Sequence, residues 1–155
     1  MRLNTKTRLF KPFLTLICLF QFIGIAVAST EAENLFKSGL AHYEVEKYDE
    51  AIKQLEGAIQ LEPEIAEYHH ILAKSYGREA ERTNWFMAMN YAKKTLTHLE
   101  LAAKLENDNL EILDDLMDFY REAPGFLGGD VKKANEIEDL IEKLGREDHY
   151  TAKFE

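Results

Sequence analysis

What most constrains this chain is that it repeats itself. At a shift of 34 residues, Ala32, Gly39 and Leu40 fall on Ala66, Ala73 and Lys74. At a shift of 44, Leu55, Ala58, Leu61 and Pro63 fall on Leu99, Ala102, Leu105 and Asn107, and Leu72 and Tyr76 fall on Leu116 and Tyr120. A unit of this length is one supersecondary element that cannot cover its own apolar face, so its copies must stack. Two shifts that differ by ten residues imply three related helix pairs, with an insertion in the middle one. Over 31–145 the apolar residues follow helical periodicity, and no stretch alternates long enough to be a strand. Pro63 and Pro124 are the prolines of this region. The periodicity predicts helices over 32–45, 48–61, 65–81, 84–106, 109–122 and 130–144, then a short tail. The insertion, around Gly77 to Lys94, should make the fourth helix start early and overhang the stack. Thr83 or Asn84, Asp108 or Asn109, and Asp130 supply N-caps. In the connection from Ala123 to Asp130, Pro124 stops a helix and the glycines allow positive φ.

Leu35, Gly39, Tyr48, Ala51, Leu55, Ala58, Leu61 and Pro63, with the run Lys47-Tyr48-Asp49-Glu50-Ala51-Ile52, carry a resemblance to the tetratricopeptide repeat (TPR). Leu35, Ser38 and His42 depart from it, standing where Trp, Leu and Tyr are usual. The physics agrees with the match. Gly39 and Ala51 are small where two helices cross, Ala58 is small where the next pair packs, Tyr48 fills the bend, and Pro63 ends the second helix. The fold so implied is all-α: a right-handed α-solenoid of about three TPR-like helix pairs, the middle pair with an elongated second helix. The long middle helix and the Ala-Pro…Gly-Gly-Asp connection also resemble bacterial exported tetratricopeptide proteins, a likeness that implies no particular chemistry.

The first 28 residues read as an address that precedes this domain. Arg2, Lys6, Arg8 and Lys11 form a basic stretch, Phe13 to Ala28 is apolar but for Thr15, Gln21 and Gly24, and Ala26-Val27-Ala28 is a small-residue cleavage site. This is the pattern of a signal peptide cut after Ala28, leaving a domain over 29–155. The apolar run of about 16 residues is short of the roughly 20 that span a bilayer. The expectation is an exported protein, periplasmic or secreted, with an inner-membrane anchor by an uncleaved segment as the alternative. Cleavage would remove Cys18, the only cysteine, and with it disulfides and thiol chemistry. The 155-residue chain has 28 acidic and 19 basic residues, a net charge of −9. That excess argues against nucleic acid as a partner.

No residue pattern points to catalysis. There is no nucleophile elbow. Gly128-Gly129-Asp130 lacks the Gly-Lys-Ser/Thr ending of a P-loop. His69 and His70, adjacent on a helix, point about 100° apart and do not converge on one ion. His42 has Glu46 one turn away and no third ligand. The carboxylates Asp114, Asp115, Asp118, Glu122, Glu136, Glu138, Asp139 and Glu142 read as solvated faces with Lys partners. No metal or cofactor is expected.

The resemblance places a partner instead in a concave groove lined by the first helix of each pair. The matching positions are Glu33, Phe36, Leu40 and Tyr43 in the first pair, Glu67, His70, Lys74 and Arg78 in the second, and Glu111, Asp114, Asp118 and Arg121 in the third. A groove filled by the chain's own tail through Tyr150 or Phe154 is the alternative for Phe36 and Leu40. Phe36 and Leu40 stand where a carboxylate clamp needs polar residues, which disfavours chaperone-tail binding. Trp85, Phe86, Met87 and Met89, with Tyr91 beyond, cluster at the start of the long helix. Core packing is expected for most of them, and Trp85, Phe86 and Met89 form a possible second interface. The reading is a non-enzymatic adaptor or scaffold that binds another protein or peptide of the cell envelope. Self-association through the long helix, as a homodimer, and a metal-dependent factor are the alternatives.

Overall fold

The computed structural model describes residues 30–151, with side-chain environments through Gly145. The address segment 1–28 and the side chains of Tyr150 and Phe154 lie outside the described residues. Helices form at the repeating periodicity: α1 over 30–44, α2 Tyr48–Leu61, α3 Ala66–Arg82, α4 Trp85–Leu105, α5 Leu110–Glu122 and α6 Val131–Thr151, with a 3-10 turn at Gly125–Leu127 before the last. No strand occurs among the described residues. One expectation is corrected: α6 does not stop at 144 but continues to Thr151. Gly145 does not end it, because no proline or positive φ follows to break the ladder.

The helices start and stop where the local chemistry demands. Asn84 accepts from the Met87 N–H, Asn109 from the Glu111 and Ile112 N–H groups, and Asp130 from those of Lys132 and Lys133. Each cap satisfies donors that the first helical turn leaves open. Between α1 and α2 the chain turns on Glu46, at φ 60°. Arg82 from α3 holds that turn, donating to the Glu46 carbonyl at 3.0 Å and its carboxylate at 2.6 Å, with its guanidinium 4.5 Å over the Tyr48 ring. Beyond Pro124, Gly128 takes φ 104°, and a Cβ on Gly129 would lie 1.7 Å from the Ala123 carbonyl oxygen, so this tight connection admits only glycine there.

Burial follows the repeat. Ala58 and Ala102, Leu55 and Leu99, Leu72 and Leu116, and Tyr76 and Tyr120 are all buried, each pair 44 residues apart. One cluster joins Ala32, Phe36, Ala51, Ile52, Leu55, Ala58, Tyr68, Leu72 and Tyr76 from α1, α2 and α3. A second joins Ala73, Leu99, Leu116, Met117, Tyr120 and Ala134 from α3 to α6. The core is thus serial, each pair closing against the next, as a helical-repeat solenoid requires. Gly39 is small because a Cβ there would sit 2.7 Å from Leu55 Cγ and 3.3 Å from the Ala51 carbonyl oxygen.

The repeat also carries a polar clasp. The Tyr76 hydroxyl of α3 donates to Glu56 of α2, while Lys94 of α4 donates to the Tyr76 oxygen at 3.0 Å and lies 4.6 Å over its ring. Forty-four residues on, Tyr120 of α5 donates to Glu100 of α4, and Lys133 of α6 donates to the Tyr120 oxygen at 3.2 Å and lies 4.7 Å over its ring. Burial and the accepting carboxylate together raise both phenol pKa values. Each clasp ties the second helix of one pair to both helices of the next. None of the helices among the described residues is long and apolar enough to cross a membrane.

Candidate functional site

A groove of about 340 Å³ opens between α1, α3 and α5. Its floor is made by small residues of α3, Ala73 and Gly77, over Thr95 and Leu99 of α4. Tyr43 of α1 walls one side and Phe119 of α5 the other. Gly77 leaves the floor open: a Cβ there would meet only Thr95 side-chain atoms, at 3.8 and 3.9 Å. The rim is charged, with Lys74, Arg78 and Glu81 from α3 facing Asp115 and Glu122 from α5. Hydrogen bonds to Tyr43 and Glu81 raise the Arg78 pKa, so it carries its charge throughout.

Of the residues that the repeat placed along a groove, Tyr43, Lys74 and Arg78 line this one. Others lie elsewhere. Phe36 is only 8% exposed and stacks on Tyr68 at 4.6 Å, so it is a core residue rather than a lining one. Leu40 is half-buried against the same core, Glu33 is exposed and paired with Lys37 at 2.6 Å, and Glu67 is exposed. On α5 the lining stripe is Asp115, Phe119 and Glu122, while Asp114 and Asp118 are exposed and Arg121 reaches Glu138 of α6 at 3.0 Å. The residues of α5 that border the groove each follow an expected one by a single position. Phe119 packs onto the second core cluster and Asp115 reaches His70, which brings both to the groove side of α5.

The histidines are buried and engaged. His70, 4% exposed, places Nε2 2.7 Å from Asp115 Oδ2. The carboxylate only accepts, so Nε2 carries the proton. Lys74 Nζ donates to Glu111 at 3.0 Å and stands 3.7 Å from Asp115. The His70 hydrogen bond, with Lys74 beside it, holds the Asp115 carboxyl below the usual carboxylate range. Burial works to lower the Lys74 pKa, but Glu111 and Asp115 outweigh it and the net direction is upward. Asp115 is therefore not a solvated helix-face carboxylate. His70, Glu111 and Asp115 also bring three metal-competent ligand atoms within 4.8 Å of one another. Only the 45-residue separation of His70 from Asp115 hid this set from the sequence.

His69 sits on the other side of α3. Its Nε2 is 2.9 Å from the Pro63 carbonyl, which can only accept, so that nitrogen is the donor. Its Nδ1 then accepts from His98 Nδ1 of α4 at 2.9 Å, with the rings stacked. Burial, and after it the charges of His69 and Lys94, push the His98 pKa down to about 4. His98 had no sequence signal, since its partner lies a helix away.

At the start of α4, Trp85 and Phe86 are 74% and 68% exposed, rings edge-to-face at 6.4 Å, and Met87 is exposed as well. The expectation that most of this cluster packs in the core is corrected: only Met89 and Tyr91 are half-buried. Trp85, Phe86 and Met87 belong to none of the core clusters among the described residues.

No protein-family model matches the chain. Over 112 residues, 68% of its length, it is 31% identical to the human protein Superkiller complex protein 3. The chain spans about 7% of the length of that relative.

Proposed function

We propose that this chain is a non-catalytic interaction module that takes a segment of another protein in the groove between α1, α3 and α5. The observation that carries the reading is the groove itself. It pairs a floor of small residues, the half-buried Gly77 beside the fully buried Ala73, with two aromatic walls and a rim of both charges. Such a surface fits a peptide that sends an apolar side chain between Tyr43 and Phe119 and sets its charges against Arg78 and Glu122. The all-helical serial core and the 31% identity to a stretch of Superkiller complex protein 3 support a helical-repeat architecture compatible with that role. We place its three pairs in a right-handed solenoid of the tetratricopeptide kind. The basic stretch, apolar run and Ala26-Val27-Ala28 site of the N-terminal segment support export, and hence a partner in the cell envelope.

A photo-crosslinking residue in place of Arg78, in the full-length chain in its own host, tests the reading. A dominant adduct with another protein supports it. Adducts with a second copy alone, or none, contradict it.

A second reading rests on Trp85 and Phe86, whose exposure fits self-association through the overhang of α4. Light scattering across a concentration series decides it: concentration-dependent mass that Trp85→Ala with Phe86→Ala abolishes supports a homodimer, and a constant monomer mass excludes one.

A further inference from the structure

We propose that His70, Glu111 and Asp115 form a divalent transition-metal site bridging α3 and α5, with the Lys74 ammonium as its built-in competitor. The donors are one imidazole nitrogen and two carboxylates, a set suited to zinc-like ions rather than to magnesium or calcium. Their ligand atoms lie within 4.8 Å of one another, a span that a single ion closes with small side-chain rotations. They stand on two rigid helices. Glu111 and Asp115 are one turn apart on α5, and the buried His70 faces them from α3. Three protein ligands leave a coordination position open, and Asp115 borders the groove, through which an ion enters.

The independent observation is that this locus already holds a cation. Lys74 Nζ lies 3.0 Å from Glu111 and 3.7 Å from Asp115, where the two carboxylates would grip an ion. The His70–Asp115 distance of 2.7 Å is a hydrogen bond, slightly shorter than the separation of two ligands on one ion. Metal entry therefore exchanges one cation for another. Lys74 swings into the open groove, the Nε2 proton of His70 moves to Nδ1, or to solvent where Nδ1 already carries one, and the two carboxylates neutralise the ion. The bridge would fix α3 against α5 and so set the width of the groove. This inference stands on the donor set and does not depend on what the groove binds.

The test is zinc titration calorimetry, with cobalt absorption as a second readout, on the full chain carrying Cys18→Ser so that the thiol contributes nothing. Lys74→Met removes the competitor without touching a ligand, and should tighten binding at least ~10-fold. In that background Asp115→Asn and Glu111→Gln should each weaken it at least ~10-fold. Circular dichroism confirms that each variant is folded, and the two α5 variants leave the buried imidazole in place. Failure of Lys74→Met to bind zinc below about millimolar concentration overturns the proposal. So does binding that neither carboxylate variant changes, which would be adventitious.

Discussion

At the scale of single residues, two glycines of similar helical setting have opposite meanings. A methyl on Gly39 would strike Leu55 and crowd the Ala51 carbonyl, so Gly39→Ala should destabilise the fold by about 1–3 kcal/mol. Gly77 faces the open groove, and Gly77→Ala should instead stabilise by about 0.5–1 kcal/mol through helix propensity. Chemical denaturation of the two variants checks both signs. His98 sets a pH dependence of its own. Its pKa falls from the ordinary 6.5 to about 4 in the folded protein, so the unfolded chain binds the proton first as pH drops. Stability should be full above about pH 6.5 and decline down to about pH 4, by about 1–2 kcal/mol once solvent screening at this partly open ring is counted. Urea midpoints across that window should lose this slope in His98→Asn.

At the scale of helices, the repeated clasp makes a specific claim. Tyr76 and Tyr120 are equivalent, so Tyr76→Phe and Tyr120→Phe should each cost about 1–2 kcal/mol by stranding Glu56 with Lys94, or Glu100 with Lys133. Guanidinium unfolding of both variants decides it, and a neutral result at either would reduce that clasp to a surface contact. The element scale also shows what a shift of 44 conveys and what it misses. It paired the buried faces of α3 and α5 correctly, through Leu72 with Leu116 and Tyr76 with Tyr120. It did not give the residues of α5 that border the groove, because Phe119 packs on the second core cluster and Asp115 bonds His70, contacts that have no counterpart 44 residues earlier. Helix ends were legible wherever a side chain caps them, as at Asn84, Asn109 and Asp130. The end of α6 was not, since Gly145 alone does not stop a helix.

At the scale of the whole molecule, three helix pairs close against one another in series, and the groove follows from that stacking. The serial core was written in the small residues Gly39, Ala51, Ala58 and Ala102, because close helix crossings leave no alternative to them. The groove was only half legible. Tyr43, Lys74 and Arg78 belong to it, whereas Phe36, placed there from its repeat position, is drawn inward by Tyr68. Partners that meet across α3, such as His69 with His98 and His70 with Asp115, depend on tertiary contacts that periodicity does not encode. The central claim is that the open floor at Gly77 is where a partner's side chain enters. Its most direct test is Gly77→Leu, whose Cβ meets only the Thr95 side chain and whose larger side chain is to occupy the floor, combined with the photo-crosslinker at Arg78. The account predicts that the heterologous adduct is lost in Gly77→Leu while helicity and thermal stability are kept, and that Trp85→Ala leaves the adduct in place. An adduct undiminished by the filled floor would contradict it.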